Sequence, residues 1–170
     1  MIGTQLASVQ EPPTKPTFDE FYASEQGRLF SSLVLLTGDG HVADDIAQEA
    51  FVRVFERWER VVAMDSAPAY LYRIALNLHR SRSRWLARWA HRSITDDSVP
   101  DIADEATSRV AVRRALESLT AEQRVALVLM DLAAFTSEEA GQALGIDATA
   151  VRARVHRARE RMREELTIDG

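Results

Sequence analysis

From Phe18 onward the apolar residues recur at three-to-four spacing, the period of an amphipathic helix. Phe18, Phe21, Tyr22, Leu29, Phe30, Leu33, Val34 and Leu36 make the first stripe, and Thr37-Gly38-Asp39-Gly40 breaks it. A second helix is expected over about 41–60. Val42, Ile46, Ala50, Val54 and Trp58 share one of its faces, with Phe51 and Phe55 beside them. A loop over about 61–65 follows. Ser66 can cap a third helix over about 67–89, with Pro68 in its first turn, where proline is tolerated. Its apolar stripe is Leu71, Ile74, Leu78, Trp85 and Trp89. A separate stripe at spacings of three and four holds Arg73, Asn77, Arg80, Arg84 and Arg88.

The second half repeats the helical pattern in shorter pieces. A helix is expected over about 108–119. Thr120 with Gln123 forms a capping box for a helix running to about Ala133, and Thr136 with Glu139 forms another for a short helix ending near Leu144. Gly145-Ile146-Asp147 is a tight turn, and a last helix covers about 148–166. No segment alternates at period two. The expectation is therefore an all-α protein of two small helical domains, 17–90 and 108–166. Residues 1–16 hold Pro12, Pro13 and Pro16 and little apolar content, so a disordered tail is expected there. Residues 91–107 are acidic and lack a period, so a flexible acidic linker is expected between the domains.

The composition removes several function classes. No apolar run approaches the roughly 20 residues of a membrane helix, so no membrane insertion is expected. The N-terminus lacks the basic and apolar regions of a secretory signal. There is no cysteine, which excludes disulfides and thiolate metal sites and fits a cytoplasmic location. His41, His79, His91 and His156 are scattered, and no catalytic or phosphate-loop motif occurs. No enzyme activity, metal or cofactor is expected.

The net charge of −5 argues at first against nucleic acid, but its placement reverses that. Arg73, Arg80, Arg82, Arg84, Arg88 and Arg92 lie in a stretch without acids. Arg152, Arg154, Arg157, Arg159, Arg161 and Arg163 are opposed only by Glu160. The planar guanidinium fork suits phosphates and guanine edges.

The strongest local signal is the helix-turn-helix over 136–156. Gly141 is small where two helices approach, and Gly145 permits the positive φ of the turn. Val151, Val155, Ala158, Met162 and Leu166 should form the buried stripe of the last helix. Recognition helices present their N-terminal residues to base edges, which points to Ala148, Thr149, Arg152 and Ala153. Later arginines such as Arg159 would hold phosphates, and His156, in the same stripe as Arg152 and Arg159, is a further DNA-binding candidate. Tyr70 or Tyr72, beside the middle basic stripe, is the candidate exposed ring for stacking single-stranded DNA. On these residues alone, a stand-alone helix-turn-helix transcriptional regulator is one reading.

Two blocks resemble a known family. DDIAQEAFVRVFERW with AYLYRIALNLHRSRSR is similar to region two of the extracytoplasmic-function (ECF) sigma factors, the smallest members of the sigma-70 family. ALESLTAEQRVALVLMDLAAFTSEEAGQALGIDATAVRARVHRARERMR is similar to their region four. The resemblance implies core RNA polymerase and promoter DNA as partners. It implies that Asp45, Gln48 and Glu49 bind the polymerase clamp, and that Asn77 captures a flipped base of the minus-ten element. Arg73, Arg80 and Arg84 would line the strand, and Ala148, Thr149 and Arg152 would read the minus-thirty-five element. An anti-sigma factor, if one holds the protein inactive, should cover the same surfaces. The usual Glu-Ile-Ala of the helix-turn-helix is Glu139-Ala140-Gly141 here, and Tyr70 stands where a tryptophan often opens the middle helix.

Overall fold

Most of the helices begin where a short polar side chain can satisfy orphan amide groups. A computed structural model describes residues 15–90, 112 and 114–168. The expected acidic linker, and residues 1–14 of the expected tail, lie outside the described residues, as do the side chains of 85–90 and 166–168. Helix α1 (Phe18–Thr37) is capped by Thr17, whose hydroxyl accepts from the Glu20 amide while Glu20 Oε2 accepts from Thr17 N at 2.7 Å. Those hydrogen bonds from Thr17 hold the Glu20 carboxyl below its usual value. Gly38, at φ +72°, ends the helix with its N–H on Val34 O. Asp39 then caps α2 (Gly40–Phe55), accepting from the amides of His41 and Val42 at 2.8 and 3.2 Å.

The single helix expected over 41–60 is broken. It stops at Phe55, and a four-residue turn of helix, α3 (Trp58–Val61), follows. The break carries no proline or glycine, and ring packing accounts for it. Trp58 swings back onto Phe18 and Phe21, with ring centroids 5.6 and 5.0 Å away. Phe55, expected beside the buried stripe, is instead 61% exposed with one edge against Phe18. Helix α4 (Ala67–Ala90) starts where Ser66 Oγ accepts from Ala69 N at 3.2 Å. It buries Ala69, Leu71, Tyr72, Ala75 and Leu76.

In the second half, residues 114–117 are helical. The Arg124 guanidinium caps the end of that stretch by donating to the carbonyls of Leu116, Glu117 and Leu119. The Thr120–Gln123 box starts α5 (Ala121–Leu127). The expected α-helix to Ala133 ends early, in a π-helical turn (Val128–Leu132) with Ala133 N bonded five residues back to Val128 O at 2.9 Å. Ala134 follows at φ +53°, a left-handed conformation that costs an alanine about 1–2 kcal/mol. The Thr136–Glu139 box starts α6 (Ser137–Leu144), Gly145 turns at φ +72°, and Asp147 Oδ1 accepts from Ala150 N at 2.8 Å to start α7 (Ala148–Ile168). Val151, Val155 and Ala158 of α7 are buried as its stripe requires.

Helices α1, α2 and α4 pack as one bundle, and α5, α6 and α7 as another. The two bundles also meet. Helix α6 lies along α4, the π turn touches α1, and one continuous apolar core joins them.

Gly141 is the tightest sequence requirement in this arrangement. A Cβ there would sit 2.7 Å from Ile146 O, inside the turn that Gly141 O itself closes by accepting from Gly145 N and Ile146 N. Neither backbone segment can retreat without breaking those bonds. Gly141→Ala should therefore cost about 1–3 kcal/mol by overpacking. The melting temperature followed by circular dichroism should fall several degrees, at roughly 2–4 °C per kcal/mol for a chain of this size. An unchanged melt would show that the turn can relax.

Candidate polymerase and promoter interface

The described residues give three polar surfaces, one on each of α2, α4 and α7. On α2, Asp45 and Gln48 are exposed and Glu49 is half-buried. Spacings of three and four place them on one face. Ile46, Ala47, Ala50 and Phe51 face the core behind them. Gln48 Nε2 donates to Asp44 Oδ2 at 2.7 Å, and Arg53 pairs with Glu49 Oε1 at 2.6 Å. The row continues into Val52, 56% exposed, and Phe55. Sequence reading did not single out Val52. Its signal was the four-residue step from Gln48.

On α4 the periodicity divides the helix cleanly. Arg73, Asn77, Arg80 and Arg84 are exposed on one side, while Tyr72, Ala75 and Leu76 are buried on the other. Arg73 and Arg80 make no ion pair with a described residue, which leaves both guanidinium groups facing solvent. Burial and the nearby cations Arg80 and Arg124 hold the His79 imidazole below its usual value, so it stays neutral at physiological pH and adds no charge to this face. Of the two tyrosines expected as stacking candidates, Tyr72 is excluded. It is 1% exposed, and burial pushes its hydroxyl up to about 12. Tyr70 is half-buried, with its OH 3.5 Å from Arg57 Nη1.

Arg82 joins these two surfaces. Its guanidinium lies 3.6 Å from Asp45 Oδ2 and 3.7 Å from Glu49 Oε2. The sequence placed Arg82 in a basic stretch but gave no sign of its partners, which lie more than 30 residues away.

On α7, Ala148, Thr149 and Arg152 sit at the helix start, where α6 and the turn present them. Arg152 is held rather than loose. Its Nη1 donates to Ser137 Oγ at 3.0 Å and lies 3.7 Å from Glu138, and its Nη2 donates to Thr149 Oγ1 at 3.0 Å. Further along, His156 pairs with Glu160 at 3.3 Å. Arg159 grips Asp131 of the π turn with two bonds, of 2.5 and 3.3 Å, and that hydrogen bonding raises its already high pKa. Arg154 reaches Glu122 at 3.0 Å, and Arg161 pairs with Glu164 and Glu165. Acids from other elements, and Glu164 and Glu165 in the next turn, thus neutralise much of a stretch in which the sequence showed only Glu160 opposing the arginines. The described residues contain no cluster of side chains able to hold a metal ion and no helix long and apolar enough to cross a membrane.

This is a two-part helical protein that displays an acidic face, a basic helix and a helix-turn-helix. Residues 21–84 match the family model for Sigma-70 region 2, and residues 109–162 match that for Sigma-70, region 4. The chain is 33% identical over 151 residues to the RNA polymerase sigma-E factor of Streptomyces avermitilis, covering 88% of this chain and 84% of that one. It is 31% identical over 160 residues to the ECF RNA polymerase sigma factor SigE of Mycolicibacterium smegmatis, covering 89% and 62%. In fold it is similar to the sigma factor RpoE solved in complex with the anti-sigma factor NepR from Bartonella quintana, with a TM-score of 0.78 at 24% identity over 90% of this chain and 98% of that one. It is also similar to CnrH solved in complex with the cytosolic domain of CnrY, at 0.66 and 23% over 90% and 89%. The chain belongs to the sigma-70 family, among its ECF RNA polymerase sigma factors.

The surface ion pairs described above contribute about 0–1 kcal/mol each. Arg82→Ala, which removes two of them, should lower the thermal midpoint by no more than about 4–8 °C, at roughly 2–4 °C per kcal/mol. A larger drop would assign the acidic face of α2 a structural duty.

Proposed function

We propose that this protein directs core RNA polymerase to particular promoters from the cytoplasm, by binding alone and with no covalent step. The observation that carries the reading is the pairing of two exposed surfaces on one bundle. Asp45, Gln48 and Glu49 face outward on α2, and Arg73, Asn77, Arg80 and Arg84 face outward on α4, with Arg82 between them. A stand-alone helix-turn-helix regulator needs neither surface.

In this reading the 17–90 domain docks through Asp45, Gln48 and Glu49 on the polymerase clamp. Docking brings the α4 face to the minus-ten element. Arg73, Arg80 and Arg84 hold the phosphates of one strand while Asn77 receives a base turned out of the stack. Extruding a base costs a few kcal/mol, so the strand must be held on both sides of it. Phosphate contacts supply affinity, and the extruded base supplies sequence choice. The 108–166 domain places the N-terminus of α7 in the major groove at the minus-thirty-five element. Ala148 and Thr149 pack against base edges, Arg152 donates to a guanine, and His156 and Arg159 position the phosphates. Arg152 reaches DNA already oriented by Ser137, Thr149 and Glu138, so little side-chain freedom is lost on binding. A partner that silences the protein would be an anti-sigma factor covering these same faces.

Run-off transcription with purified protein and bacterial core polymerase, on a pool of genomic promoter fragments, tests the whole reading. Transcripts should require both components. Asp45→Ala with Gln48→Ala should remove co-elution with core polymerase while leaving the fold intact by circular dichroism. Arg152→Ala should lower discrimination at one base pair of the upstream element by about 1–3 kcal/mol. Polymerase binding that survives the α2 changes would favour the stand-alone regulator.

A further inference from the structure

Two polar residues at the start of α6 are not needed to begin it. The box of Thr136 and Glu139 already satisfies that end. Glu139 Oε2 accepts from the Thr136 amide at 2.9 Å, and Thr136 Oγ1 accepts from the Glu139 amide at 3.2 Å. Ser137 and Glu138 stand between those residues and engage α7 instead. Ser137 Oγ accepts from Arg152 Nη1 at 3.0 Å and donates to Glu138 Oε2 at 3.1 Å. Glu138 Oε1 lies 3.7 Å from the same guanidinium nitrogen. On the other side, Arg152 Nη2 donates to Thr149 Oγ1 at 3.0 Å. The guanidinium is thus tied to the preceding helix through one nitrogen and to the previous turn of its own helix through the other. Each nitrogen uses one N–H, and the rest of the fork stays free for a base edge. Glu138, Thr149 and Arg152 are all exposed, so DNA can reach the cluster.

On affinity alone the carboxylate of Glu138 is misplaced. In a helix-turn-helix the first helix crosses the DNA backbone. The start of that helix offers amide groups and a positive dipole end to phosphate. A carboxylate placed there repels the phosphates of every sequence, and its pairing with Arg152 withdraws a cation from the same surface. Both effects lower affinity for DNA in general. What they supply is direction. A loose arginine settles on the nearest phosphate, and phosphates are present whatever the sequence. An arginine held by two hydroxyls and partly neutralised gains only where a base edge offers acceptors along its fixed line, as O6 and N7 of guanine do. Specificity is a difference between affinities, so an element that weakens the wrong partner raises it.

We propose that Ser137 and Glu138 are specificity-determining positioning residues. They convert Arg152 from a phosphate anchor into a base reader, by aiming it and by weakening the grip of this surface on DNA of any sequence. This role rests on the promoter reading above and places part of the base preference outside the recognition helix. Arg159 supplies an internal contrast. It also grips an acid, Asp131, but it lies further along α7, where phosphates are held. Releasing Arg159 should therefore change affinity without changing preference.

Holoenzyme reconstituted from core polymerase and the full-length chain can be bound to a promoter library randomised at the upstream element, with the bound DNA quantified and sequenced. The parent should favour one base pair, and Arg152→Ala should abolish that preference. Ser137→Ala with Glu138→Gln should reduce the preference about two- to fivefold, the span of a surface ion pair, while total bound DNA rises. Ser137→Thr, which keeps the hydroxyl, should retain the parent preference. In an Arg152→Ala background the changes at 137 and 138 should produce no further change in preference. Asp131→Asn should raise bound DNA and leave the preference intact. A damaged fold would lower preference and bound DNA together, so their opposite signs separate aiming from stability. An unchanged preference, a joint fall of both quantities, or an equal fall of preference in Asp131→Asn overturns the role of Ser137 and Glu138. A parent holoenzyme with no base preference carried by Arg152 would overturn the reading of Arg152 itself, and this role with it.

Discussion

Helix α4 has to satisfy three environments at once, and the rest of the molecule is arranged around that requirement. One side closes the core of the first bundle through Leu71 and Leu76, and Tyr72 on that side also meets Phe135 of the second. The other side stays polar and carries Arg73, Asn77, Arg80 and Arg84. A helix repeats every 3.6 residues, so positions 73, 77, 80 and 84 can stay together while 72 and 76 point away. A proline inside this helix, or a one-residue slip, would turn arginines into the core and an aromatic ring into water. The strong cap at its start and the position of Pro68 in its first turn fix that register.

Local rules in the sequence described much of this fold. The capping boxes at Thr120 and Thr136, the left-handed Gly145 and the crowded Gly141 all depend on residues within five positions, and each is found in the structure. The buried stripe of α7 follows from a single period in the same way. What escaped was governed by contacts distant in sequence. The end of α2 at Phe55 depends on rings in α1, and the burial of Tyr72 depends on Phe135, 63 positions later. The π turn leaves no composition signal, because its cause is the packing of 128–133 between two bundles.

The candidate site was legible in kind and less so in detail. The family's motifs marked Asp45, Gln48, Glu49 and Arg152, and the structure places all four where a partner could reach them. It could not be read from the chain that Arg82 would stand between the first group and the basic face, or that Ser137 and Glu138 would hold Arg152. Those are consequences of how helices lie across one another. A one-dimensional pattern carries the identity of a charge but not its neighbour.

The pairing of α7 arginines with Asp131, Glu122, Glu164 and Glu165 bears on thermodynamics beyond geometry. An unpaired cation that settles on a phosphate expels a condensed small ion from the duplex, and that release makes association entropically favourable and sensitive to salt. An arginine already neutralised by its own chain must first surrender a carboxylate, which then gathers a small cation of its own. The protein thus carries built-in counterions. Its grip on DNA should respond to ionic strength more gently than a count of its arginines suggests, and the fraction of DNA bound would then vary less as the salt around it changes.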